Sequence, residues 1–580
     1  MATVEQQKEY LKRAESAGLF SRLSAYTKLS GPGWLQSAIT LGGGSLASSL
    51  FLGLLAGYSL LWLQPVAIIL GVVMLCAISH VTLSTGQSPF VSIKNEINPV
   101  LGWGWAIATI LANVVWCLPQ FSLGTAAITQ NLFPSLDGTG GKVLSCIFLL
   151  SIAASMVWAY DRGNKGIKVF DWVLKGMVGL VVLSFFGVVI KMSTTGKLPW
   201  TEILTGFVPN LDLLVKPANV YLPFLEKTGE FRVFWESKII GMQRDVMISA
   251  AATAVGINMT FFMPFVLLRR KWGREHRGLA KFDLWTALLI PYILATTCVV
   301  IAAGSQFNGK PESAYLDYEK EILFSNLQGG YLSLTTARCV AEFGIDDYSS
   351  LAPVQKEESV RNLPKADRQL AAMLVKRDSF NLAASLEGLF GNKAFSHYIF
   401  GIGVVGMAIS TIIILMTING HAVCEVLGKP HKGSTFFLGA MLAGIGVIGP
   451  FIWNDAAFWL AVPTSILGFT LIPVAYLSFL LLINNKVILG RECPSGKARW
   501  IWNSGLLVSL GVMGSAAFYV AWNKTWGEIA FGRIALITFG VLLVLGHYSL
   551  KTKKISNKVE GLEMRFQRLA REHQKRNSSN

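Results

Sequence analysis

Apolar residues along this chain fall into long runs, not into the short amphipathic stripes of a soluble fold. About twelve runs are long enough to cross a bilayer as helices. They lie near residues 34–57, 60–84, 103–128, 142–160, 169–191, 246–268, 282–303, 397–421, 434–453, 464–485, 501–521 and 530–549. The pattern predicts an all-α integral membrane protein. Two runs are interrupted. The first contains Leu41-Gly42-Gly43-Gly44-Ser45. Each glycine costs a helix about 1 kcal/mol relative to alanine, so three in succession predict local unwinding. The sixth contains Gly256-Ile257-Asn258-Met259-Thr260, polar at mid-depth, with Pro264 just beyond. Unwound backbone at that depth persists only where it is buried in protein or lines a cavity. Broken helices in matching positions of two halves point to the binding site of a transporter.

This reading divides the chain into segments. Residues 1–30 form an N-terminal segment and 31–192 a first five-span repeat, followed by an external loop at 193–245. Residues 246–490 form a second five-span repeat with an external insertion at about 305–396, expected to be a small, partly helical cap. Residues 497–550 add two peripheral spans, and 551–580 a basic tail. Val559, Leu562, Phe566 and Leu569 space that tail as an amphipathic helix lying on the inner leaflet.

Composition agrees: 52% of residues are hydrophobic and only 15% charged, well below the charged share of a soluble domain. The net charge of +17 raises the question of a nucleic-acid partner. The basic residues lie in loops, however, with Arg269, Arg270, Lys271, Arg274, Arg277 and Lys281 following the sixth run. They read as topology signals and as contacts to anionic lipid, so no nucleic-acid partner is expected. The same rule puts both termini in the cytoplasm, and the expected location is the plasma (inner) membrane. The polar first 30 residues lack the apolar core of a signal peptide. Seven cysteines are scattered singly, without the spacing of a disulfide framework or a zinc site. No HExxH, GxSxG or phosphate-binding loop occurs in a suitable context. Neither an enzyme nor an ATP-driven pump is expected, and no cofactor. The oligomeric state is open, with a monomer among the possibilities.

Gly31-Pro32-Gly33-Trp34-Leu35, the break 11 positions after Gly31, Gly124-Thr125-Ala126-Ala127 and the tract around Leu471-Ile472-Pro473 resemble the NRAMP family of metal-ion transporters. The resemblance covers most of residues 30–490, apart from the two long external segments. It implies a leucine-transporter-type fold of two inverted five-helix repeats plus two further helices, and divalent metal ions of the manganese and iron class as substrate. The departures lie at the ligands. Where the family has Asp-Pro-Gly-Asn at the first break, this chain has Gly42, Gly43, Gly44 and Ser45. Where the family has Met-Pro-His at the second, an alignment anchored on Gly256 gives Thr260, Phe261 and Phe262, and a shift of one residue gives Met259. A glutamine of the tenth span falls near Thr464 or Ser465, and Trp116 to Phe121 offers no acid in the third.

The expected substrate-binding set is therefore Gly42, Gly43, Gly44, Ser45, Gly256, Asn258, Met259, Thr260 and Ser465, with Ser45, Asn258, Met259 and Thr260 as candidate metal ligands. Thr40 and backbone carbonyls add oxygens. Divalent sites normally include carboxylates, and this set has none. Loss of the soft ligand disfavours manganese and iron, and a polar, uncharged site suits a largely hydrated cation such as magnesium. Free backbone N–H groups at the glycine-rich break also suit an anionic, zwitterionic or neutral solute such as an amino acid. A third reading is a receptor-like protein that binds without transporting. Asp171 beside Lys175, Asp283 and His421 read as structural.

Overall fold

The computed structural model describes residues 4–577, apart from 137, 197, 313–327, 454–455, 526–527 and most of 163–185 and 378–392. Among the described residues, ten helices, or 11 with one bent pair taken together, are long and apolar enough to cross a membrane. They match the expected runs except the fifth, which lies largely outside the described residues, as do Asp171 and Lys175. The side chains of the tail beyond residue 556 are also mostly outside them.

Two short helices, α1 (Val4–Ser16) and α2 (Leu19–Leu29), precede the first span. That span is split into α3 (Pro32–Thr40) and α4 (Gly43–Ala56), bent by 53°. Then come α5 (Leu63–Thr85), α6 (Pro99–Ala126) and α7 (Gly138–Asp161). The sixth span is α8 (Arg232–Ala254) followed by α9 (Ile257–Arg269), and the seventh ends in α10 (Leu289–Phe307). The remaining spans are α11 (Lys393–Leu427), α12 (Gly433–Gly444), α13 (Ala461–Ile483), α14 (Gly496–Trp522) and α15 (Phe531–Asn577).

The split helices stand at the centre. The most apolar stretch of the sixth span is 89% buried, against 28% for α14 and 6% for α15, so the last two spans are peripheral. Around the breaks, α6 packs on α11, α13 and α9, while α8 packs on α4 and α13. With no hydrophobic drive between helices in lipid, close approach and polar pairing must hold them. Both occur here. Gly53 lies against the backbone of Val300 and Gly304, where a Cβ would stand 2.5 Å from a carbonyl oxygen. Asn113 Nδ2 donates to Asn419 Oδ1 across α6 and α11 at 3.4 Å.

The two halves are also stapled at one end of α3. The buried Asp283 carboxylate accepts from Gly31 N (3.2 Å), Gly33 N (2.6 Å) and Ser30 Oγ. This caps the exposed donors at the start of α3 and opposes their positive field. His421 is buried too, stacked on Phe265 and flanked by Tyr160 and His431.

Within the segment at 305–396, helices Gln328–Phe343, Ile345–Ser350, Pro353–Arg361 and Lys365–Leu374 enclose a small core of Cys339, Tyr348, Val360 and Leu363. Asp367 joins it to α8, accepting from both Arg338 Nε (2.8 Å) and Trp235 Nε1 (2.7 Å).

Candidate functional site

The chain leaves helical geometry twice, and the two places face each other. At the first, Leu41 N still donates to Ser37 O at 2.8 Å, closing α3. Gly42 is extended (φ −89°, ψ −179°) and α4 starts at Gly43. These φ values are open to any residue, so the glycines are required by space. A Cβ on Gly42 would collide with Thr411 Oγ1, and one on Gly43 would stand 2.7 Å from Gln120 Oε1. At the second break, Val255 and Gly256 are extended between α8 and α9. Asn258 Oδ1 accepts from Met259 N at 2.8 Å, a donor that Gly256 O also meets at 3.1 Å. A Cβ on Gly256 or Gly468 would strike the Trp116 indole, which is wedged between the second break and α13.

One hydroxyl bridges the breaks. Thr40 Oγ1 lies 3.0 Å from Gln36 O in its own helix, 3.4 Å from Ala254 O and 3.3 Å from Met259 Sδ. Ser45 Oγ donates back to Thr40 O across the first break. The open carbonyl ends of α3 and α8 thus gain partners.

Between the breaks is a cavity of about 50 Å³, room for about three waters. Its wall includes Gly42, Gly44, Ser45, Gly256, Asn258, Met259 and Ser465. Two residues of the expected set stand outside it. Gly43 turns toward Gln120 and Leu123. Thr260 Oγ1 accepts from Trp105 Nε1 at 2.9 Å and donates to Ile257 O. Met259, not Thr260, therefore lines the cavity. A larger cavity of about 740 Å³, at Gly57, Tyr58, Asp212 and Asn308, reaches neither break. It lies where α4 ends, a full helix away from the unwound residues, so the smaller cavity is the candidate site.

The wall also holds residues that the sequence reading passed over: Trp116, Gln120, Thr253 and Thr411. Gln120 carried a signal, as a polar side chain inside a span-length apolar run; Thr411 carried none. Among the described residues no group of three His, Cys, Asp or Glu side chains could hold a metal, and no side chain in the cavity wall is ionisable. The site is nonetheless rich in acceptors. The hydroxyl protons of Ser45, Thr253 and Thr411 are all committed to backbone carbonyls. What those oxygens can offer an occupant is lone pairs. Gln120 Oε1 is buried with no partner at all.

The wider comparisons bear on the fold and the family. A manganese transporter from Eremococcus coleocola superposes with a TM-score of 0.60 over 91% of this chain and 96% of its own, at 11% identity. That likeness concerns the fold. The metal transporter Nramp4 of Arabidopsis thaliana is 24% identical over 308 residues, covering 47% of this chain and 56% of its own. The divalent metal cation transporter MntH of Brucella suis is 23% identical over 195 residues, covering 33% of this chain and 39% of its own. The chain thus spans about half the length of the curated relatives it matches. The model of natural resistance-associated macrophage protein-like chains matches residues 33–331, just over half of the sequence and both helix breaks. This all-helical membrane protein belongs to the Nramp family.

Proposed function

We propose that this chain is a secondary transporter that carries a divalent metal ion through the cavity between its two helix breaks, by alternating access. The observation that carries this reading is the cavity itself: small, uncharged and acceptor-rich, with the Met259 sulfur in its wall. Lone pairs favour a cation. The volume, enough for about three waters, favours a metal ion with part of its hydration shell over an amino acid. A thioether distinguishes further, because magnesium takes oxygen ligands while softer metals accept sulfur. Manganese or iron(II) is therefore preferred to magnesium. The absence of a carboxylate is offset by retained waters, so affinity is expected to be modest. With no ionisable side chain in the wall, the ion's own charge crosses uncompensated. Flux should follow membrane voltage and ignore an imposed pH gradient. Both termini face the cytoplasm in this reading, since Arg269, Arg270 and Lys271 follow the sixth span.

The test is flux into proteoliposomes loaded with a metal-sensitive dye, under an imposed potential. Manganese entry that exceeds magnesium entry and rises with inside-negative voltage is the expected outcome. Magnesium entry alone would return the substrate to a fully hydrated ion. Binding without entry of either would make the protein a receptor.

A further inference from the structure

We infer that Gln120, on the third span, supplies the oxygen that engages the transported ion and sets its affinity. This rests on the proposed transport of a divalent cation. Gln120 is 3% exposed, lies in the cavity wall, and its carboxamide oxygen has no hydrogen-bond partner. A buried acceptor left unmet destabilises a fold. Four other wall oxygens have local engagements: Ser45 with Thr40 O, Thr411 with Met407 O, Thr253 with Ala250 O, and Asn258 Oδ1 with Met259 N; the Ser465 hydroxyl is a further wall oxygen. Among the wall's side chains, Gln120 Oε1 is a fully buried acceptor that receives no hydrogen bond. A chain optimised for stability alone would place an apolar residue there, as it does at Leu123 one turn on.

That oxygen is enclosed beside the first break. A Cβ on Gly43 would stand 2.7 Å from Gln120 Oε1 and 2.5 Å from Leu123 Cδ1. Gly43, which is not part of the cavity wall, thus contributes by leaving room for the carboxamide beside the unwound first span. An amide oxygen also suits the chemistry. It accepts from water bound to a metal ion, or ligates the ion directly, as amide carbonyls do in calcium and magnesium sites. It brings dipole without charge, so the ion is released more readily than from a carboxylate. Three spans then converge on the occupant: the first through its backbone, the third through Gln120, and the sixth through Asn258 and Met259.

The experiment uses the full chain in detergent and in proteoliposomes, with manganese chloride as probe. Gln120→Leu keeps the size and removes the oxygen; Gln120→Glu keeps the oxygen and adds charge. Each variant is first matched to the unaltered protein in thermal melt and elution profile. Loss of one bond to a charged ligand is expected to raise the manganese Kd and KM about tenfold or more in Gln120→Leu. Gln120→Glu should tighten binding by about tenfold and make it fall away on acidification, as the new carboxylate protonates. If the unaltered protein carries manganese and both variants keep Kd and KM within about twofold, Gln120 is not a ligand, while the transport reading stands. If the unaltered protein carries no divalent ion, the transport reading fails, and this inference with it. If Gln120→Leu does not fold, the direction of change in Gln120→Glu decides alone.

Discussion

The two helix breaks differ in kind. The first is made of glycine, bends its span by 53°, and offers the cavity backbone and one hydroxyl. The second bends its span less and offers the side chains of Asn258 and Met259. One supplies room and the other supplies chemistry. Two of the three glycines at the first break are matched to a neighbour that occupies the space a side chain would fill: Thr411 at Gly42, Gln120 at Gly43. The second break has one such glycine and adds side chains that line the cavity. There the bulky Trp116 fills the space above Gly256, and the chain's own Asn258 and Met259 face the occupant.

Substitutions at the two breaks should therefore fail differently. The largest effect is expected for Gly42→Val. Its Cβ would meet Thr411 Oγ1 and the branched side chain would fill the cavity. Overpacking of this kind costs about 1–3 kcal/mol, and vesicle flux of every cation should disappear together. Met259→Leu should act on selectivity instead. Manganese Kd by calorimetry should rise about tenfold, with magnesium unchanged, because only the sulfur is lost. Asn258→Ala removes a side-chain bond in the first turn of α9 as well as a wall oxygen. A loss of about 1 kcal/mol is expected for one hydrogen bond, seen as a melting point lower by a few degrees, with flux reduced and selectivity retained. If Gly42→Val shifted selectivity, or Met259→Leu abolished all flux, the division between room and chemistry would be wrong.

The smallest effect should come from outside both breaks. Glu492 accepts from Arg277 at 2.7 Å, and that hydrogen bond holds its carboxyl below the usual range. A depressed carboxyl stabilises the fold above its ordinary pKa and loses that contribution as pH falls through the lowered value. Acidification should thus lower the melting point slightly through Glu492, and Glu492→Gln should flatten that dependence. The pair is partly exposed, so the effect is small. Manganese affinity of the unaltered protein should not follow it.

How far the sequence revealed this arrangement depended on the kind of signal. Long apolar runs announced the spans, since a membrane helix must be apolar over its whole length. Three adjacent glycines and the Asn258 segment announced the breaks, since both oppose helix. The register at the second break was not legible. Val255 and Gly256 are extended, so α9 begins at Ile257, which turns Met259 to the cavity and Thr260, about 100° further round the helix, to Trp105. A one-residue ambiguity in matching short motifs could not resolve that. Gln120 was legible as a polar residue in an apolar run, but a search for acidic side chains overlooked it. Thr411 and Thr253 gave no sign, because threonines bonded back to their own helix are common in membrane spans. Asp283 was read as structural, and its three bonds at the start of α3 agree.

The central claim is that a metal ion occupies the space between the breaks. Anomalous diffraction from crystals soaked in manganese tests it most directly. The account predicts one strong peak within bonding distance of Met259 Sδ or Gln120 Oε1, lost in Gly42→Val. Peaks confined to other parts of the molecule, with the space between the breaks holding only water, would contradict it.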